Sequence, residues 1–427
     1  MSKLISILLA TLFLALSVQA KESNEEKKAR EAKERKEKRD KEQAEIIKLT
    51  SKLTRMKGTT PAQWRVIWTG DASTEATVSW STAESGKSHK VYYGESSRLG
   101  KVQTCQRSGE YTLNKKETGK IESAFYHHAV LKNLKPSTRY YFVMESDGVK
   151  SKPLYFVTAP VKGTDFSIIH GGDSRSGHLS RCKVNIMIAE LVKKDPKILA
   201  FAHGGDYIVS GQVWQQWRLW LSHNELITGA DGRVLPIIPT RGNHDGGPLY
   251  KEVFNVDEKQ PDWHTTTIGS DVAILTLDTN KPSGGPQSEW LESELKRLRP
   301  DSKWLLTQYH RPLFPAVKTP ASQAKQFCPL FDKYEVDLAL EADGHCIKRT
   351  VPIKDGKADP TGTVYVGEGG LGVSQRKPNE ELWYLKGGAA GSDHHVMRLD
   401  FSESSLRIRT ILLNGEIYDD HSLKIRK

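Results

Sequence analysis

Seven short apolar runs in the second half of the chain each end in a cluster of polar residues or residue types that bind metals. Runs such as FSIIH, ILAFAH and LPIIPT read as buried strands, and the clusters are GGDSR (171–175), HGGDY (203–207), RGNHD (241–245), LDT (277–279), YHRP (309–312), EADGH (341–345) and GEGG (367–370). Parallel strands deliver the residues at their carboxyl ends to one edge of a sheet, where α/β proteins bind ligands. Packing of the core does not explain why Asp, Asn and His recur at the ends of successive strands. The pattern therefore predicts a metal-centred site in an α/β domain.

The first 20 residues have the pattern of a secretory signal peptide. One lysine is followed by an uncharged apolar run and a small-residue VQA ending, so we predict cleavage after Ala20. An uncleaved anchor is the alternative, but the run is short of the roughly 20 residues that a span needs. We therefore expect a secreted or periplasmic protein with no stable membrane span. Export permits disulfides, but four cysteines allow three pairings and the sequence does not choose among them.

The net charge of +11 does not indicate a nucleic-acid partner, because much of the excess lies in one segment. Residues 21–57 hold 14 Lys and Arg against nine Asp and Glu, and many Glu–Lys pairs fall at i,i+4. We interpret residues 21–61 as a charged, partly helical spacer, with attachment to an anionic surface as the alternative. No module of aromatic and basic residues stands out, so no nucleic-acid binding is predicted. The sequence leaves the oligomeric state open.

Residues 62–160 and 164–427 have different rhythms. The first range has short alternating strands such as ATVSWST and KVYYGE, separated by turn formers, which is typical of an antiparallel β-sandwich. Its segment LKNLKPSTRYYF resembles the fibronectin type III pattern, in which Tyr140, or else Tyr141, is the corner tyrosine. The second range alternates strands with segments of helical spacing. The chain is therefore expected to be an α+β multidomain protein, a β-sandwich followed by an α/β sandwich.

The residue types in the clusters narrow the chemistry. Asp173 and Asp206 each follow glycine at a strand end, where the backbone can turn and bring a carboxylate to the sheet edge. A carboxylate can bridge two cations, and a pair of cations suits in-line attack on phosphorus. Asn243 adds a neutral oxygen, whereas the imidazoles of His310 and His345 favour Fe, Zn or Mn over Mg or Ca. Any one of these residues alone is more often simply hydrogen-bonded, but together they predict a metal centre.

The order GD, GGD, GNHD, HRP and DGH resembles the calcineurin-like metallophosphoesterases, and GNHD is its most specific element. With the fibronectin-like domain in front, residues 62–427 resemble the purple acid phosphatases. The resemblance implies an αββα catalytic domain over residues 164–427, two metal ions (Fe, Zn or Mn) and hydrolysis of phosphate esters by a metal-bound hydroxide. The ligands that it implies are Asp206 as the bridge, Asp173 and His345 at the first metal, and Asn243, His310 and Asp343 at the second.

Three positions depart from the family pattern. Asp343 stands two residues before His345, where the family usually has histidine. Purple members place a tyrosine three residues after the bridging aspartate, where this chain has Val209. Other members place a histidine two residues after the first aspartate, where this chain has Arg175. We therefore expect a colourless protein whose first metal site lacks its usual extra ligand.

Four residues beside the ligands are assigned roles in catalysis or substrate binding. His244 is expected over the leaving-group oxygen as an acid or electrostatic stabiliser, and Asp245 is expected to orient its imidazole. Arg175 and Arg241 are expected to hold phosphate by forked hydrogen bonds, with surface salt bridges as the alternative. Arg175 is also expected to be catalytic. The leading function is an exported phosphomonoesterase. A phosphodiesterase and a degenerate, non-catalytic module that binds phosphate or metal are the alternatives.

Overall fold

The computed structural model describes residues 24–114, 122–282 and 284–426, so the predicted signal peptide lies outside the described residues. The chain divides after Ser51 into two compact units. The described part of the first unit contains helix α1 (Asn24–Thr50). Its ion pairs include Arg30–Glu34, at i,i+4 and 3.3 Å, as the charge pattern predicts. Among the described residues, no helix is both long and apolar enough to cross a membrane.

The second unit holds the remaining elements. The helices are α2 (His178–Lys194), α3 (Trp214–Asn224), α4 (Leu249–Phe254), α5 (Pro286–Leu298) and α6 (Ala324–Lys333), with a 3-10 turn at Glu225–Ile227. The strands are β1 (Ala62–Ile67), β2 (Ala76–Thr82), β3 (His89–Gly94), β4 (Lys101–Thr104), β5 (Arg107–Glu110), β6 (Phe125–Leu131), β7 (Arg139–Ser146), β8 (Val149–Lys150), β9 (Leu154–Val157), β10 (Phe166–Gly171), β11 (Ile198–His203), β12 (Ile237–Pro239), β13 (His264–Ile268), β14 (Val272–Thr276), β15 (Trp304–Gln308), β16 (Leu338–Leu340), β17 (Ile347–Arg349), β18 (Ile353–Lys354), β19 (Lys357–Ala358), β20 (Val364–Gly367), β21 (Ala389–Gly391), β22 (His395–Phe401), β23 (Ser405–Leu412) and β24 (Ile417–Lys424).

Two stacked sheets form the catalytic half, and helices cover their outer faces. Strands β10, β11 and β12 are parallel in one sheet, and β14, β15, β16 and β20 are parallel in the other. Side chains alternate along each strand, so Ile168 enters the core between the sheets while Ile169 packs with Ile188 of α2. In the other sheet Ile274 faces inward, and Leu275 packs with Leu291 of α5. The expected αββα layering is confirmed.

The N-terminal part of the second unit, from β1 to β9, is an antiparallel β-sandwich, as expected. One of its layers contains β1, β2, β6 and β5, and the other contains β4, β3, β7, β8 and β9. Trp80 is fully buried between the layers. The hydroxyl of Tyr140 accepts the backbone N–H of Lys135 at 2.9 Å, so Tyr140 rather than Tyr141 makes the tyrosine corner. Cysteines 105, 182, 328 and 346 are all free thiols.

Strand β1 joins the two halves in a way that the sequence pattern does not reveal. It pairs with β2 on one side and, in parallel, with β12 on the other, with Ile67 opposite Ile237. The N–H of Trp68 extends this pairing by donating to the carbonyl of Ile237 at 2.9 Å. A ten-stranded sheet therefore runs through both halves, in the order β24-β23-β22-β10-β11-β12-β1-β2-β6-β5. Every residue of β1 is buried, so its segment AQWRVI lacks the two-residue alternation by which half-exposed strands are recognised.

Candidate metal centre

The carboxyl ends of the parallel strands bring the predicted ligands together. One ligand atom each from Asp173, Asp206, His310 and Asp343 lies within 4.8 Å of the others, and all four residues are buried. The backbone of Asp173, Asp206 and Asp343 is left-handed, with φ of 61°, 56° and 68°, and that of His345 is left-handed too, with φ of 62°. Such conformations are costly for residues other than glycine and occur where function constrains the chain. The strand ends are therefore built to aim these side chains inward.

His310 lies at the centre of the predicted second-metal site. Its Nδ1 is 2.8 Å from the carbonyl oxygen of Gly204, which can only accept, so Nδ1 carries the proton and Nε2 faces the ligands. Nε2 is 3.1 Å from Asn243 Oδ1, 3.2 Å from Asp206 Oδ1 and 3.5 Å from Asp343 Oδ1. A backbone partner that fixes one nitrogen while the other faces the site is the usual arrangement of a metal-binding histidine.

The charged groups around this site stabilise a positive charge. Burial by itself raises the pKa of Asp206, but His310 and Arg175 outweigh it and hold the value at about 2. Burial likewise raises the pKa of Asp343, yet His310 and Lys318 lower it below the ordinary value. The pKa of His310, which burial lowers, is raised well above its ordinary value by Asp206 and Asp343. Three oxygens thus converge on Nε2, and these four donors fit a metal ion of the Fe, Zn or Mn type.

The predicted first-metal site is arranged differently, because Arg175 reaches into it. Its Nη1 donates to Asp173 Oδ1 at 3.0 Å and to Asp206 Oδ2 at 2.8 Å. Its Nη2 is 3.1 Å from Nε2 of His345, which itself lies 3.3 Å from Asp173 Oδ1. Each residue expected at this site is therefore in contact with one guanidinium. With Arg175 in this position, the three side chains do not fit a metal ion.

Lys318 belongs to the site, although no sequence pattern pointed to it. It lies in a loop rather than at a strand end, and its Nζ donates to Oδ1 of Asp343. A cleft of about 600 Å³ beside the centre is lined by Asn243, Asp343 and three basic residues, Lys281, Arg311 and Lys318. Only the folded chain brings these basic side chains to one place.

The structure contradicts the contact expected between Asp245 and the imidazole of His244. The Asp245 carboxylate accepts the backbone N–H groups of Gly242, Asp206 and Tyr207, at 2.7, 2.8 and 3.0 Å. Burial and the neighbouring Asp206 raise the pKa of Asp245 to about 7. The sharp turn at Asp206 points the backbone N–H groups of Asp206 and Tyr207 at the Asp245 carboxylate. Asp245 therefore stabilises this loop and does not orient the imidazole of His244.

His244 is oriented by the backbone. Its Nδ1 donates to the carbonyl of Val209 at 2.6 Å, and its Nε2 lies 4.0 Å from Asp206 Oδ2. The side chain is 34% exposed, so Nε2 can meet a substrate at the edge of the centre. Val209 itself is 46% exposed, and the fully buried ring of Tyr207 stacks on His203 with 4.0 Å between centroids.

Arg241 does not reach the ligand cluster. Its Nη1 donates to Asp262 at 3.0 Å and to Asp278 at 3.4 Å, so two carboxylates already neutralise its charge. Those contacts correct the expectation of a phosphate fork, and because the partners are buried they are not the surface salt bridge named as the alternative either. The side chain instead lines a second cavity of about 910 Å³, together with Trp263 and Trp290.

The seventh cluster, GEGG, shapes the site without supplying a ligand. Gly369 has a φ of 83°, and a Cβ there would stand 2.0 Å from Asp173 Oδ2, so only glycine lets the loop pass this carboxylate. The preceding Glu368 pairs with Lys348 at 2.9 Å. Lys348 also pairs with Glu341, and all three side chains are fully buried.

Comparison with known proteins identifies similar families along most of the chain. Residues 61–158 match the family described as purple acid phosphatase, N-terminal domain, and residues 169–346 match the family described as calcineurin-like phosphoesterase. Purple acid phosphatase 1 of Ipomoea batatas is 25% identical over 304 residues, which cover 64% of this chain and 61% of that protein. Purple acid phosphatase 18 of Arabidopsis thaliana is 25% identical over 337 residues, which cover 73% and 71%.

Solved structures share the fold. The purple acid phosphatase PPD1 from yellow lupin (Lupinus luteus) seeds aligns with a TM-score of 0.73 at 19% identity, over 86% of this chain and 74% of that chain. PhoD aligns with a TM-score of 0.63 at 10% identity, over 88% and 94%. At these identities the likeness extends to the fold alone.

Proposed function

The chain belongs to the purple acid phosphatase-like metallophosphoesterases, which are metal-dependent phosphoester hydrolases, and from that premise we propose that it is an exported phosphomonoesterase. The observation that carries the proposal is the set of donors around His310 Nε2, which opens on a cleft lined by basic side chains. The guanidinium of Arg175 lies on one side of Asp206 and the donors around His310 lie on the other, where the family implies two metal ions.

The residues have separable roles in the proposed reaction. Asp206, Asn243, His310 and Asp343 would hold a metal ion, which supplies Lewis acidity towards water and the phosphoryl oxygens. His244 donates the proton that the leaving alcohol requires, from an Nε2 that its Nδ1 contact with the backbone keeps at the edge of the centre. Transfer of that proton prevents an alkoxide from building up as the P–O bond breaks.

The charge of the cleft favours monoesters over diesters. Lys281, Arg311 and Lys318 line it, and two carboxylates in the centre are already paired with Arg175. A phosphate monoester carries close to two negative charges at neutral pH, since its second pKa is about 6, whereas a diester carries one. A surplus of basic groups therefore binds the monoester more strongly.

The second cavity supports an aromatic or otherwise apolar alcohol as the leaving group. It shares Lys281 and Pro282 with the cleft, so one substrate can extend through both. The rings of Trp263 and Trp290 lie 6.5 Å apart, centroid to centroid, and offer a surface for a flat group. We therefore propose aryl phosphates as good substrates.

Ester preference tests the proposal directly. The full chain is loaded with Zn, Mn or Fe in turn and assayed with p-nitrophenyl phosphate and bis-p-nitrophenyl phosphate. We expect kcat/KM for the monoester to exceed that for the diester by at least about 10-fold. His310→Ala and Asn243→Ala should each lower turnover by at least about 10²-fold, the scale of a lost electrostatic group.

A matched control and two contrary outcomes complete this experiment. His421→Ala removes a histidine from the edge strand β24, remote from the strand ends that carry the ligands, and should leave turnover unchanged. Turnover of the diester alone would show a phosphodiesterase. Metal binding without turnover of either ester would show a binding module.

Export rests on the pattern of residues 1–20. When the gene is expressed with its own N-terminus in a secreting host, the exported protein should begin at Lys21. Intact mass measurement of that fraction checks the start. Recovery of the protein only inside the cell with Met1 retained would contradict export and leave the proposed activity untouched.

A further inference from the structure

Arg175 supplies a positive charge at the place where the family's first metal ion would be held. Asp173, Asp206 and His345 each present one atom to its guanidinium, at 3.0, 2.8 and 3.1 Å. The Arg175 side chain is only 12% exposed, and both aspartates are fully buried. The contact is therefore an enclosed ion cluster rather than a surface salt bridge.

A metal ion and this guanidinium compete for the same three atoms. Carboxylate and imidazole ligands hold such an ion at about 2.0–2.2 Å, by the lone pairs that here face the guanidinium. Arginine keeps its charge in proteins, so it cannot become neutral when an ion arrives. Two cations this close in a buried site repel each other strongly.

At the second-metal site the competing cation is weaker: Lys318 contacts a single donor atom, Asp343 Oδ1, and its side chain is 36% exposed, so it can move into the cleft when an ion binds. Asp206 uses Oδ2 for Arg175 and Oδ1 for the side of His310, so one carboxylate serves both positions at once. The group of candidate ligands that lie close together includes Asp173, Asp206, His310 and Asp343. Asp173 nevertheless gives one oxygen to Arg175, and His345, the remaining first-site residue, contacts Arg175 as well.

We propose that Arg175 is a permanent cation that replaces the first metal ion, and that the centre binds one metal ion, at Asp206, Asn243, His310 and Asp343. The inference rests on the metal centre of the proposed function but not on which ester is cleaved. Arg175 donates through three of its five N–H groups, so two remain for a phosphoryl oxygen. Arg175 thereby keeps Asp206 oriented and adds a contact to phosphate, two roles that the family's first metal ion would otherwise have.

Metal stoichiometry tests the proposal without an activity assay. The full chain, Arg175→His and Arg241→His are incubated with excess Zn²⁺, desalted and analysed for bound zinc by mass spectrometry. We expect one zinc per wild-type chain and two per Arg175→His chain, because that variant removes the charge and restores a ligand. Arg241→His is the matched control, since Arg241 pairs with Asp262 outside the ligand cluster, and should bind one.

A second readout protects the experiment against misfolding. With Mn²⁺, electron paramagnetic resonance should show an isolated ion in the wild type and a coupled pair in Arg175→His, and circular dichroism checks that both are folded. Arg175→Ala, which removes the competitor and adds no ligand, should also take up a second ion, more weakly than Arg175→His.

Three results would overturn the proposal. Two tightly bound ions in the wild type would show that the guanidinium moves aside, and a single ion in both Arg175→His and Arg175→Ala would show that it excludes nothing. A wild type that binds no ion would contradict the one-metal centre. Failure of the ester assay alone would leave this proposal standing, because stoichiometry does not depend on turnover.

Discussion

His244→Ala should lower kcat for alkyl phosphate esters by about 10²- to 10⁴-fold, the range of a lost general acid. The same change should lower kcat for p-nitrophenyl phosphate by less than about 10-fold, since nitrophenoxide is a stable leaving group that needs no proton. The structure provides the basis for this difference. The bond from Nδ1 to the carbonyl of Val209 fixes the ring, and Nε2 lies at the edge of the centre, 4.0 Å from Asp206.

The comparison of the two esters separates proton transfer from simple charge. His244→Gln keeps a hydrogen-bond donor but cannot give up a proton, so it should show the same dependence on the leaving group as alanine. The measurement is kcat for a series of esters whose alcohols differ in acidity, together with the pH profile for the alkyl ester. An equal loss for all esters would mean that His244 only binds charge, and the assignment as an acid would be wrong.

Lys348→Met should lower the free energy of unfolding by about 3–5 kcal/mol at neutral pH, the cost of leaving buried charges without their partner. Lys348 is fully buried, and its Nζ contacts Glu341, Glu368 and the carbonyl of Phe314. Burial raises the pKa of Glu368, and Lys348 opposes that rise. Without the lysine, two carboxylates would remain in a medium that disfavours their charge.

The loss should depend on pH in a defined direction. In the variant the folded state holds a proton on Glu368 to a higher pH than the unfolded chain does, because burial raises the pKa of Glu368 and glutamates of the unfolded chain titrate at about 4.3. Stability of the variant therefore falls as pH rises above that value, and its difference from the wild type shrinks in acid. Urea unfolding between pH 4 and pH 8 measures the effect.

Two further variants check the reason for this loss. Lys348→Met combined with Glu341→Gln and Glu368→Gln should recover most of the stability, because no unpaired charge then remains in the core. Lys333→Met breaks an exposed pair with Glu292, with side chains 58% and 45% exposed, and should leave the free energy of unfolding almost unchanged. A Lys348→Met variant as stable as Lys333→Met would show that the buried charges are already neutralised in another way.

The sequence predicted those parts of the site that depend on local pattern. Strand ends can be recognised from apolar runs, so Asp173, Asp206, His310 and Asp343 could be assigned to one edge before any geometry was known. The segment LKNLKPSTRYYF narrowed the tyrosine corner to Tyr140 or Tyr141, and the contact with Lys135 shows that it is Tyr140. The tyrosine corner is a contact between residues close in sequence, whereas the ligands meet because parallel strands end at one edge of a sheet.

Contacts set by backbone angles and distant loops were beyond the sequence. The partners of Asp245 depend on the left-handed turn at Asp206, which no residue pattern specifies. Lys318 contacts Asp343 from a loop. Residues of a loop do not follow the periodic pattern by which strands and helices are recognised. Arg175 was expected to bind phosphate, and only its three contacts in the folded chain reveal that it binds the ligands themselves.

The parallel pairing of β1 with β12 also bears on solubility. Without β1, β12 would be the last strand of its sheet and would present unpaired N–H and C=O groups to other chains, the usual starting point of aggregation. Strand β1 closes that edge, and the sheet continues through β2 and β6 to the short, partly exposed strand β5. The N-terminal sandwich thus covers an edge of the catalytic sheet at which copies of the chain would otherwise aggregate.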